Sequence, residues 1–231
     1  MLSTESARSE VTRDEAAQIM ALDQKKLIKI LKSSKSADFA KAKACQRLAV
    51  IGTKEAVPAL SALLANPKMA HYARFGLEPI PDPSADDALR RALAQLSGGL
   101  LIGVINSIGK RGDTKAVQAL AKLIEDSDAE VGAAATAALG RIGTPESADV
   151  LKKALDHTKK VAEACLECAE RLTSKDMKEP AVALCDALLQ RSDLPERLRV
   201  QATRLKESSG SPGPPVDPQS HFSSRAGASK V

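Results

Sequence analysis

Leu139-Gly140-Arg141-Ile142-Gly143 is followed by Ala148, Leu151 and Leu155, which lie nine, twelve and sixteen residues beyond the first leucine. The same frame opens at Ile108, ahead of Gly112, Val117, Leu120 and Ile124, and at Leu48, ahead of Gly52, Val57, Leu60 and Leu64. In weaker form it opens at Leu77 before Ala85, Leu89 and Leu93, at Leu172 before Ala181, Leu184 and Leu188, and at Ile19 before Leu27, Ile28 and Leu31. The six anchors are 29, 29, 31, 31 and 33 residues apart. Self-similarity at such a period marks a repeat architecture.

Each unit reads as helix, short turn, helix. Residues 40–51 and 129–142 are Ala-rich, with apolar side chains at helical spacing. Gly52, Gly112 and Gly143 stand where a helix end takes a left-handed residue. Thr53, Asp113 and Thr144 follow as caps for the second helix. Pro58, Pro145 and Pro180 fall near its start, where a missing N–H is tolerated. One pair of helices cannot bury its apolar stripe alone, so the pairs must stack. The prediction is all-α: an α-solenoid of about six helical pairs over residues 14–207, with a further amphipathic helix at 195–206, carrying Leu198, Val200 and Leu205, closing the C-terminal edge. Residues 208–231 hold 14 Pro, Gly or Ser among 24 and are expected to be disordered, as is the segment 1–13.

Composition narrows the class. The chain has 231 residues, 39 of them Ala, with three Phe, one Tyr and no Trp. Aromatic-signature repeats and stacking platforms for single-stranded nucleic acid fit that poorly. No apolar run reaches the roughly 18 residues of a membrane helix, and residues 1–13 lack an apolar stretch of signal-peptide length. The expectation is a cytoplasmic chain with reduced thiols at Cys45, Cys165, Cys168 and Cys185.

Asp128-Ala-Glu-Val131, Ala138-Leu139-Gly-Arg-Ile142-Gly143 and Ala148-Asp-Val-Leu151 together resemble the consensus of short HEAT repeats, the variety found in phycobilisome-lyase-type proteins. Residues 73–83 and 103–109 are similar to HEAT segments common in bacterial multi-repeat proteins. The resemblance spans roughly residues 14–190. It implies an armadillo-type superhelix whose second helices line the concave face. It says little of function, because this fold mostly supplies binding surfaces.

Some proteins of this type are enzymes. Deoxyhypusine-hydroxylase-like HEAT proteins bind two irons through repeated His-Glu pairs. Here His71, His157 and His221 are followed by Tyr72, Thr158 and Phe222, so no metal or other cofactor is expected. Cys165 and Cys168 form a CxxC without a second pair for zinc or a following His for haem. They read as small apolar residues packed between repeats, with a redox or metal role as the alternative. Arg111 and Arg141 recur in the turns, where they can bond carbonyls or carboxylates of a neighbouring repeat. Asn106 and Ser107 can bond loop backbone.

The remaining pattern is periodic charge. Thirteen and fourteen residues beyond the anchors, away from the apolar stripe, stand Lys32, Arg90, Arg91, Lys122, Lys152 and Lys153. Stacked repeats would set these about 10 Å apart in a row. These six are the candidate partner-binding residues. The function expected is a non-enzymatic scaffold that binds a partner protein, acidic if the row is the contact. Two alternatives stay open: nucleic-acid binding through the same row, which a net charge of +5 and scarce aromatics disfavour, and a lyase- or chaperone-like accessory to a cofactor-bearing enzyme.

Overall fold

A computed structural model describes residues 13–155 and 161–210. Among these residues there are only helices and turns. The first helices of the pairs are α1 (13–20), α3 (Asp38–Ile51), α5 (Ala70–Leu77), α7 (Gly98–Arg111), α9 (Ala129–Ile142) and α11 (Val161–Ser174). The second helices are α2 (Gln24–Lys32), α4 (Val57–Ser61), α6 (Pro83–Leu93), α8 (Val117–Leu123), α10 (Pro145–Ala154) and α12 (Lys178–Leu189). α13 (Glu196–Gly210) closes the stack. Of the segments expected to be disordered, 1–13 and 208–231, residue 13 opens α1 and residues 208–210 close α13, while the rest lies outside the described residues, as do His157 and His221.

The anchors explain the stacking. Ile19 is 7% exposed, and Leu48, Leu77, Ile108, Leu139 and Leu172 are fully buried. They form one continuous core with the apolar positions of the second helices, including Leu27, Leu60, Leu89, Leu120, Leu151 and Leu184. First helices pack on first helices in order, α3 on α5 through to α9 on α11; among second helices α2, α4 and α6 pack in sequence, as do α8, α10 and α12, and α13 lies against both α11 and α12. Contacts therefore run between neighbouring pairs, which is the one-dimensional logic of a solenoid. No helix among the described residues is long and apolar enough to cross a membrane.

The turns divide into two kinds. Gly112 and Gly143 take left-handed conformations, φ 68° and 56°, and end α7 and α9. Asp113 and Thr144 then accept backbone N–H bonds from Lys115 and Ser147. The second turn of the series differs from expectation. Gly52 is extended, with φ −70° and ψ 139°, and Thr53 caps nothing: its N–H donates to Gln24 Oε1 at 2.7 Å, and its hydroxyl bonds Glu55. Gln24 belongs to the preceding second helix, so this turn is fastened from outside. The expected helix lengths also shift, because α4 and α8 each begin as a 3₁₀ turn, over Lys54–Ala56 and Thr114–Ala116. In α13, Leu198 is buried and Leu205 partly so, but Val200 is 38% exposed and lies off the packed face.

Arg111 turns inward. Its side chain is 8% exposed and pairs with Asp86 at 2.5 Å. Its Nη1 donates to the carbonyls of Leu77, Glu78 and Ile80 at 3.1, 2.7 and 2.7 Å. Those carbonyls lie at the end of α5 and in the turn after it, where helical partners run out; the Leu77 carbonyl also accepts the Ile80 N–H at 3.2 Å. Two repeats further, Lys175 Nζ donates to the carbonyls of Ile142 and Gly143 at 3.2 and 2.9 Å.

All four cysteines are buried and free. Burial pushes the thiols of Cys45 and Cys168 up to about 12 and that of Cys185 to about 11, and burial beside Cys168 and Cys185 raises Cys165 further. A raised folded value means that the unfolded chain loses these protons first. Stability from this source is intact below about pH 9 and declines as pH rises toward the folded values. The thiolate is the reactive form. An aromatic disulfide reagent at pH 8 should therefore modify none of the four in the native state and all four after unfolding. Release of even one equivalent by the native protein would contradict this packing.

Candidate functional site

A cavity lies on the first helices, away from the predicted row. On α5 and its C-terminal cap stand His71, Arg74, Phe75 and Glu78, and on α7 stand Gly103, Asn106, Ser107 and Lys110. Both sets follow the i, i+3, i+4, i+7 spacing that puts side chains on one helical face. Arg141 from α9 and Arg171 from α11 complete the lining of a cleft of about 540 Å³. Four cationic side chains thus face it, and one carboxylate, Glu78.

Small residues make the space. A Cβ on Gly103 would lie 2.3 Å from the Arg74 guanidinium carbon, so the guanidinium lies against the backbone of α7. On α9 the positions matching the α7 row are Ala134, Ala137 and Ala138, followed by Arg141. Burial lowers the pKa of Arg74, with the Glu78 carboxylate acting the other way. Glu78 is held in place: the Ser107 hydroxyl donates to Oε1 at 2.8 Å, and Lys110 Nζ lies 2.5 Å from Oε2. Arg141 Nη1 donates to Asn106 Oδ1 at 3.2 Å. Arg171 lies 3.8 Å from Glu167, with half its side chain exposed. Arg74 has no hydrogen bond or ion pair within 4 Å among the described residues. The cleft therefore presents partly desolvated guanidinium groups whose donors exceed the acceptors around them, an arrangement that takes an anionic oxygen.

The predicted residues fall elsewhere. Lys32, Arg91, Lys122, Lys152 and Lys153 are exposed on α2, α6, α8 and α10. Arg90 is 21% exposed and bonded to both Asp87 and the buried Asp113, which ties α6 to the next repeat. Arg91 lines a groove of about 200 Å³ with Ser61, Ala65 and Gln95. Arg74, Glu78, Lys110 and Arg171 were not among the candidates. They sit three residues before, one after, two after and one before their anchors, so a fixed offset from the anchor does not collect them. The legible signal was the polar i, i+3, i+4, i+7 row on α5 and α7.

Residues 84–170 match the HEAT-repeat family. The chain is 35% identical over 127 residues to deoxyhypusine hydroxylase of Gallus gallus, a match that takes in 52% of this chain and 42% of that protein. The chain therefore spans less than half the length of this curated relative. Among solved structures, an engineered protein superposes with a TM-score of 0.52 at 19% identity, over 81% of this chain and 96% of its own. Human deoxyhypusine hydroxylase in complex with glycerol superposes with a TM-score of 0.39 at 20% identity, over 90% and 82%.

The relative is an enzyme, and this overturns the expectation that the chain is not one. The donors for a two-iron centre do not fit, however. His71 is the one histidine among the described residues, Tyr72 follows it, and no group of three or more His, Cys, Asp or Glu among those residues converges to hold a metal. On the family match residues 84–170 are HEAT repeats, and the buried anchors and paired helices continue the same stacking to either side of them.

Proposed function

We propose that this helical-repeat scaffold binds an acidic segment of a partner protein, and that the first-helix cleft is the contact. The carrying observation is the convergence of Arg74, Lys110, Arg141 and Arg171 from four successive repeats on one cavity that holds a single carboxylate. A stacked array offers a partner many contacts at repeated intervals, which suits a protein segment better than a small ligand. The exposed cations of the second helices lie on the other layer and offer a second acidic contact.

Fluorescence anisotropy with a labelled glutamate-rich peptide tests this. Wild type should bind it in preference to a labelled DNA duplex. Arg141→Glu with Arg171→Glu should weaken binding by about tenfold or more. Loss only in a variant carrying Lys122→Glu, Lys152→Glu and Lys153→Glu would move the site to the second helices. Duplex binding with a steep salt dependence would replace the reading with nucleic-acid recognition.

An enzymatic role is the second reading, and the identity to deoxyhypusine hydroxylase favours it. A mass gain of one oxygen atom on a deoxyhypusine-bearing protein incubated with this chain, iron, oxygen and a reductant, which supplies the two electrons that take the second oxygen atom to water, would establish it. An unchanged mass beside active control enzyme would remove it.

A further inference from the structure

The cleft does not end at its cations. A second groove, of about 330 Å³, is lined by Ala49, Val50, Phe75, Glu78, Pro79 and Lys110, and shares Phe75, Glu78 and Lys110 with the first. Val50 is 72% exposed and Phe75 46%. Two of the exposed large apolar side chains of the described residues therefore lie in one groove that opens onto the cationic cleft.

The repeat register explains this continuity. Two residues beyond the anchors Leu48, Leu77, Ile108 and Leu139 stand Val50, Pro79, Lys110 and Arg141. One equivalent position, followed along four successive repeats, is thus apolar in the first two and cationic in the next two. Isolated exposed apolar residues need no explanation, but a pair set beside a cleft with surplus positive charge makes an amphipathic track.

We infer that this track binds an extended peptide that carries an apolar side chain about three residues from a pair of acidic ones, the apolar group on Val50, Phe75 and Pro79 and the carboxylates on Arg74, Arg141 and Lys110. The inference rests on the acidic-segment reading above and adds the apolar requirement and its spacing. The spacing follows from dimensions. Neighbouring helices pack about 10 Å apart, and an extended chain rises about 3.3 Å per residue, so one repeat corresponds to about three residues. Charge complementarity selects the acidic partner, and Phe75, which lines both grooves, sets the join. Glu78, at the same join, holds Lys110 until a ligand carboxylate competes for it.

Three labelled peptides in a Gly/Ser background test this on the full chain: Glu-Glu flanked on both sides by Leu three residues away, the same peptide with Leu replaced by Ser, and the same with Glu-Glu replaced by Gln-Gln. The first should bind about tenfold tighter than the second, the gain expected from burying part of a leucine side chain, and the third should not bind. In a variant with Val50→Ser and Phe75→Ser, whose fold is checked by circular dichroism, the ratio of the first two affinities should fall to one. Equal binding of the first two peptides by wild type would overturn the apolar requirement and leave the acidic-segment reading standing. Failure of both acidic peptides to bind would overturn the two together.

Discussion

Replacing Arg111 with methionine should lower the stability of the chain by about 3–5 kcal/mol. The substitution keeps the apolar stem and removes the guanidinium. It strands the Asp86 carboxylate and the carbonyls of Glu78 and Ile80, and leaves the Leu77 carbonyl with the Ile80 N–H alone. Breaking one side of a buried pair leaves the other side desolvated and unmatched, which costs more than the pair itself contributes. For a chain of this size the loss corresponds to a fall in Tm of roughly 6–20 °C. Asp86→Asn should cost less, because the three carbonyl bonds survive. Urea unfolding followed by circular dichroism measures both. A loss below about 1 kcal/mol for the methionine variant would show that water reaches the turn and that the bolt is not a main support.

The second large effect concerns close approach of helices. A Cβ on Gly140 would lie 2.7 Å from the carbonyl oxygen of Ala164 and 3.1 Å from its Cα. Those are backbone atoms of α11, so nothing can swing aside. Gly140→Leu should force α9 and α11 apart at a cost of about 3 kcal/mol, the upper part of the usual range for overpacking. Gly99→Ala is the matched control, since a Cβ there meets nothing within 4 Å. The Gly140 variant should also bind acidic peptide more weakly, because α9 and α11 carry Arg141 and Arg171. Near-native stability of Gly140→Leu would mean that the first-helix layer slides rather than packs in one register.

Much of the fold was legible because one signal repeats. Apolar anchors at near-equal intervals, each followed by apolar residues at eight or nine and at twelve, can be satisfied together only by stacked helical pairs, and all six anchors are buried. The turns were legible where backbone conformation demanded glycine, as at Gly112 and Gly143. They were not where a long-range bond decided, as at Thr53, whose partner Gln24 is 29 residues away. The cleft was less legible for the same reason. Asn106 and Ser107 were read as binding loop backbone, yet they face Arg141 and Glu78 of adjacent repeats. The periodic row of cations is real as an exposed pattern, but Arg90 belongs to structure: its charge faces Asp87 and Asp113. A charge pattern in one dimension does not reveal which members are matched across repeats.

The inward-turned Arg111 gives the stack a direction in time. Its three carbonyl partners lie 31 to 34 residues earlier in the chain, and those of Lys175 lie 32 and 33 earlier. A ribosome delivers the earlier repeat first. That repeat emerges with its turn open and its carbonyls facing water, and it is latched only when the next whole repeat has followed it out. At these two turns assembly therefore waits on synthesis, the later pair locking the earlier one.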